Sequence, residues 1–124
     1  MEDKDPLTRR IIGCAVEVHR SLGPGLLQSA YEQCMAHEMN MQGLAFRPQA
    51  PAPLVYKGLQ LDCVYKADLL VQDSVIVELK SVETLTSLHQ AQLLTYMRLS
   101  RAPTGLLINF NVRRLVDGVI RFRI

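Results

Sequence analysis

The order of residue patterns along the 124-residue chain predicts an α/β sandwich: two helices, three strands, a third helix and then one or two more strands. Three observations predict it. Apolar residues recur at helical spacing twice before residue 42 and once after residue 85, β-rich runs fill the interval, and glycine or proline punctuates most of the boundaries. The composition agrees, because 48% hydrophobic residues, 21% charged residues and a mean hydropathy of +0.08 support a real core and exclude a disordered chain. At this length a single domain spanning 1–124 is expected.

Between Pro6 and Leu22 the residues Leu7, Ile11, Cys14, Ala15, Val18 and Leu22 line one face of a helix, and Pro6 suits its first turn. Leu22-Gly23-Pro24-Gly25 stops it. A second helix runs from about Leu26 to Met41 and ends at Gly43, making a helical hairpin. Ala45 to Leu54 holds Pro48, Pro51 and Pro53, whose missing N–H groups confine it to an edge strand or an extended arm. Leu61–Val71 and Val75–Lys80 are two β-rich runs joined by Gln72-Asp73-Ser74, a polar turn suited to an antiparallel hairpin. Thr86 to Leu99 has helical spacing, with Thr84 or Thr86 as the cap. Gly105–Phe110 reads as a buried strand, and Val119–Ile124 as a last one after an Asp117-Gly118 turn.

No apolar run approaches the ~18 residues of a membrane span, and the acidic opening Met1–Asp5 is unlike a secretory signal, so a cytoplasmic protein without membrane contact is expected. Three cysteines, Cys14, Cys34 and Cys63, have no C-x-x-C spacing and sit in apolar surroundings, which favours inert thiols over a disulfide framework or a zinc site. A Cys14/His19 nucleophile pair is disfavoured, because positions five apart point to different sides of a helix. The net charge of +2 hides an asymmetry: residues 98–124 carry Arg98, Arg101, Arg113, Arg114, Arg121 and Arg123 against Asp117 alone. That third of the chain is either a solvated face or an anion-binding one.

The chemistry concentrates in the middle of the chain. Alternation along Val75–Lys80 puts Val75, Val77 and Leu79 on one face and Ile76, Glu78 and Lys80 on the other. A hairpin through 72–74 brings Asp68 beside Glu78. Two carboxylates ~4 Å apart repel by roughly 4 kcal/mol at an effective dielectric of about 20, which a divalent cation relieves. Hard oxygen donors with no Cys or His partner favour Mg²⁺ or Mn²⁺. A cation there activates water and neutralises a phosphoryl group, with Lys80 stabilising the developing charge, which is phosphodiester hydrolysis chemistry. The competing reading of Glu78 and Lys80 is a solvated strand face. In the following helix Gln92 and Tyr96, four apart, share a stripe with Leu85, Leu88 and Leu99; the pair either supports a polar site or satisfies itself in the core.

Asp68 after Ala67, then Glu78-Leu79-Lys80, then Gln92-Leu93-Leu94-Thr95-Tyr96 resemble, in that order, the D, E-x-K and Q-x-x-x-Y motifs of the PD-(D/E)XK nuclease superfamily, especially its RecB-like branch. Ile11 to Tyr31 and Leu106 to Asn111 resemble the stand-alone GxxExxY proteins assigned to that superfamily, so the likeness extends from about Leu7 to Phe122. The resemblance implies a restriction-endonuclease-like αβββαβ core with a central mixed sheet flanked by helices. It also implies metal ligation by Asp68 and Glu78, a catalytic Lys80, and supporting roles for Gln92 and Tyr96.

A helical acid usually completes such a site. Glu17 matches a glutamate of the first helix, whereas the namesake glutamate corresponds to Gln28 in Gly25-Leu26-Leu27-Gln28-Ser29-Ala30-Tyr31. An amide brings no negative charge, which weakens any metal site built on it. Helical angles put Gln28 with Tyr31 and Met35 in a semi-buried stripe, while Glu17 lies well off the apolar face of its helix near Arg10, either solvated or in the site. His19 is better explained as packed than as a ligand.

The leading expectation is a Mg²⁺- or Mn²⁺-dependent DNA nuclease without an organic cofactor, its Arg-rich third contributing phosphate contacts and two protomers combining to cut both strands. The alternative is a catalytically weakened nuclease-fold protein that binds nucleic acid or a partner protein. With 6% aromatic residues and no Trp, composition gives little support to a base-stacking platform.

Overall fold

The computed structural model describes residues 5–124, with the side chains at 62–64 outside that description. Its elements are α1 (Pro6–Leu22), α2 (Gln28–Met41), β1 (Phe46–Tyr56), β2 (Leu59–Val71), β3 (Val75–Lys80), α3 (Ser87–Ser100), β4 (Thr104–Asn109) and β5 (Val119–Arg123), the last preceded by a 3₁₀ turn at Leu115–Gly118. The strands form one mixed sheet in the order β1-β2-β3-β4-β5. Every neighbouring pair is antiparallel except β3–β4, whose parallel pairing requires α3 as the crossover between them. The chain is thus of the α/β class, a mixed sheet flanked by helices.

Strand alternation divides the core in two. On one face Val75, Val77, Leu79, Leu106 and Ile108 pack against Ile11, Val18, Tyr31 and Met35 of α1 and α2. On the other, Leu70, Ile76 and Leu107 pack against Leu93 and Met97 of α3. Gly105 permits that second contact, since a Cβ there would collide with the Met97 sulfur and crowd Leu93. Leu93 and Met97 are therefore the buried stripe of α3. The stripe drawn through Leu85, Leu88, Gln92 and Leu99 is corrected, because Leu88 is 64% exposed and the helix is rotated to seat Met97 over Gly105.

Local chemistry explains most boundaries. Asp5 caps α1, accepting from Leu7 N at 3.1 Å, with Pro6 in the first turn. Thr86, rather than Thr84, caps α3 through a reciprocal pair with His89. The second helix starts at Gln28, two residues later than its apolar pattern suggests, because Leu26 is held in the loop: its N–H donates to the Tyr31 hydroxyl and its carbonyl accepts from Ser81 Oγ at 2.6 Å. The proline-rich segment is edge strand β1, whose register with β2 shifts between Ala52 and Leu54, where Pro53 stands. It joins β2 through Lys57-Gly58, two consecutive left-handed residues (φ 47° and 85°), a hairpin turn that the sequence reading passes over. Cys14 is buried and Cys34 packs against the same core. The Cys63 side chain and the acidic residues 1–4 lie outside the described residues. Among those described, no helix is long and apolar enough to cross a membrane.

Candidate active site

Near its turn the β2–β3 hairpin is a regular ladder, pairing Leu69 with Val77, Leu70 with Ile76 and Val71 with Val75. The next pair in that register is Asp68 and Glu78, and there the ladder gives way to side chains. Asp68 N–H donates to Glu78 Oε1 at 3.1 Å, and Leu79 N–H donates to Asp68 Oδ2 at 2.8 Å. On its other side β2 is also irregular, since the pairing with β1 passes over Gln49, which has φ 50°. Alternation breaks at the same place: Ala67 is buried in the same cluster as Leu70, so one strand face is not continuous through Asp68. Asp68 and Glu78 are 9% and 5% exposed.

Burial of that depth shifts the acid equilibria. Glu78 is pushed up to about 9, first by desolvation and then by the neighbouring Asp68 charge, while Lys80 pulls it the other way. Tyr96 is raised too, mainly by desolvation and then by the charges of Glu78 and Asp68. Its ring meets Tyr65 of β2 at 5.8 Å between centroids.

A third carboxylate reaches the pair from α2. Glu32 is half-buried and raised in pKa, first by desolvation; Asp68 lies within hydrogen-bonding reach of it and raises it further, and Lys80 lowers it. Gln28 Nε2 donates to Glu32 Oε1 at 3.2 Å. The start of α2 is docked on the segment after β3 by the Ser81–Leu26 hydrogen bond, and Asn109 holds the same segment by accepting from Val82 N–H and donating to Val82 O. Tyr31 secures the loop before α2 by donating to the Gly23 carbonyl, and stacks on Phe110 at 4.4 Å.

The structure thus gathers Asp68, Glu78, Lys80 and Tyr96, with Gln28 joined through Glu32. Gln92 lies one turn before Tyr96, exposed and without a hydrogen bond among the described residues, so it is not a buried partner of that tyrosine. Glu17 is not brought to the pair. It accepts from Arg20 at 2.7 Å and lines a groove of about 270 Å³ with Cys34 and His37, which are turned roughly 160° and 140° around α2 from Glu32. Its expected neighbour Arg10 instead donates to the Gln42 carbonyl at the end of α2. His19 is a packed residue whose Nε2–H donates to the Val112 carbonyl at 2.7 Å. The sequence signal for Glu32 was its place one turn after Gln28, on the same helix face.

The family model described as the PD-(D/E)XK nuclease superfamily matches residues 5–122. The chain belongs to that superfamily. No curated protein and no solved structure matches it. Its sheet and flanking helices are accordingly a restriction-endonuclease-like nuclease fold, and nucleases of this superfamily generally use divalent metals. The donor chemistry of Asp68, Glu78 and Glu32 fits such a cation: all are hard oxygens, and the raised Glu78 marks a place where positive charge is wanting. Among the described residues no three such side chains stand grouped around one point as a complete metal cage. That is compatible with Mg²⁺, which keeps several waters and takes few protein ligands.

Proposed function

We propose that this nuclease-fold protein, of the GxxExxY kind, hydrolyses phosphodiester bonds of DNA with Mg²⁺ or Mn²⁺. The observation that carries the reading is the mutual capture of Asp68 and Glu78 at the point where the β2–β3 ladder opens, with Lys80 two residues along the same strand. Asp68 and Glu78 would hold the cation. When bound, it supplies Lewis-acid neutralisation of phosphate charge and an acidified water. Lys80, two residues along β3 from Glu78, stabilises charge developing on the phosphate. Glu32, oriented by the Gln28 amide, takes the place of the helical acid that Glu17 does not fill. Tyr96 borders the pair, and Gln92 is exposed to meet substrate from the same side of α3.

The weakened-nuclease reading draws on Gln28, but Glu32 returns a carboxylate to that side of the site, which favours the active one. The test is plasmid nicking in Mn²⁺ by wild type, Glu78→Ala and Lys80→Ala. We expect each variant to lose at least about a hundredfold in rate. Equal nicking by all three would remove this site from the reaction.

A further inference from the structure

A groove of about 640 Å³ lies between edge strand β1 and the C-terminal turn of α3. Leu70, two residues along β2 from Asp68, is on its lining; Pro51 and Pro53 of β1 form one wall, and Arg98, Leu99 and Arg101 at the end of α3 form the other. Next to the groove, outside its lining, stand two rings. Tyr65 pairs with Ala52, between those two prolines, and Tyr96 lies one turn before Leu99 and Ser100. Tyr65 is 39% exposed, and the rings are tilted by 51°.

This combination is specific in what it can hold. Arginines ask for phosphate, while the exposed Tyr65 ring, the partly exposed Tyr96 and an apolar lining ask for flat hydrophobic surface. An unpaired nucleic-acid strand offers both at once, but a duplex keeps its base faces inside the stack. A groove of this volume between a helix and an edge strand also has the scale of a small-ligand cleft, enough for part of one strand. Composition hides such a platform because it counts rings without placing them, and here two of them meet at the site.

We propose that the groove and the two rings next to it take an unpaired DNA strand, with phosphates on Arg98 and Arg101 in the groove and bases against Tyr65 and Tyr96, leading one phosphate to Asp68 and Glu78. Only that last clause rests on the nuclease reading. Arg47 lies on the same groove but is engaged by Asp73 at 2.7 Å, so the phosphate contacts are assigned to Arg98 and Arg101.

The test is fluorescence anisotropy of the full chain in EDTA with a labelled oligothymidylate and with the same strand paired to oligoadenylate. The free strand should bind at least about tenfold more tightly than the duplex. Tyr65→Leu should weaken strand binding about tenfold, while Tyr65→Phe, which keeps the ring, should bind like wild type. Arg98→Ala with Arg101→Ala should flatten the plot of log affinity against log salt by about 1.4, at roughly 0.7 per lost phosphate contact. Duplex bound as tightly as the strand, a Tyr65→Leu protein that binds normally, or a Tyr65→Phe protein as weak as Tyr65→Leu each overturns the proposal. Cleavage in Mn²⁺ separates it from the nuclease reading: duplex cut as readily as the strand sinks the groove alone, whereas a strand bound selectively but never cut sinks the hydrolase and leaves the groove.

Discussion

The two halves of the β2–β3 hairpin use the same two strands for opposite ends. Next to the turn, Leu69–Val71 and Val75–Val77 are buried apolar residues joined by a backbone ladder, and they sit between the two cores. One step away, Asp68 and Glu78 occupy equally buried positions but turn their carboxylates onto each other's strand. The first half gains from burial and the second opposes it, since desolvation and mutual repulsion hold Glu78 in its protonated form up to about 9. The contrast shows how a stable ladder can carry an electrostatically unfavourable site at its open end: the apolar half holds the strands in register, and the acids are confined to the place where they part.

Breaking the closed half should have the largest effect on stability. Leu69→Ala removes a side chain that is 2% exposed in the larger core, and should cost about 2–5 kcal/mol in a urea titration. A loss under ~1 kcal/mol would mean that the register is held elsewhere.

The open half should be visible in the pH dependence of the metal-free protein. The folded Glu78 keeps its proton up to about 9 while an unfolded glutamate releases it near 4.5, so the folded state binds more protons in between. Its contribution is therefore full below 4.5 and is lost as pH rises towards 9, by an amount on the order of 1–3 kcal/mol once relaxation of the site is allowed for. Glu78→Gln should flatten that decline and be more stable than wild type at pH 8, while Mg²⁺ uptake by wild type should release a proton, measurable by calorimetry in two buffers. A wild-type curve that rises between pH 5 and 8 would contradict the assignment.

The smallest effect sharpens the comparison from outside the hairpin. Thr86→Ala removes the cap of α3 and should cost about 0.5–2 kcal/mol by thermal melting. Because α3 carries Tyr96 but none of the acids, Mg²⁺ binding should be nearly unchanged.

Most elements were legible because their causes are local. Prolines at 48, 51 and 53 mark an edge strand wherever the rest of the chain goes, Pro6 suits the first turn of α1, and Gly23 to Gly25 interrupt the helical hairpin. The order of Asp68, Glu78 and Lys80 was equally legible, since a short hairpin turn sets their register. The helical acid was not. Glu17, Gln28 and Glu32 are all reasonable from helix geometry alone, and the choice depends on how α2 is docked, through Ser81 and Leu26, against the end of β3. Likewise, the face of α3 that is buried follows from the space above Gly105, which the apolar spacing of the helix does not report.

By itself the sequence determined the alternation of helices and strands, the edge position of β1, and the pairing of two acids on adjoining strands, because turn chemistry and side-chain periodicity act over a few residues. Only the tertiary structure decided that Glu32 approaches those acids while Glu17 turns away to Arg20, and that Tyr65 and Tyr96 meet beside them. Those outcomes depend on how rigid elements rest against one another, and a helix rotation of one residue, about 100°, is enough to exchange one candidate for another.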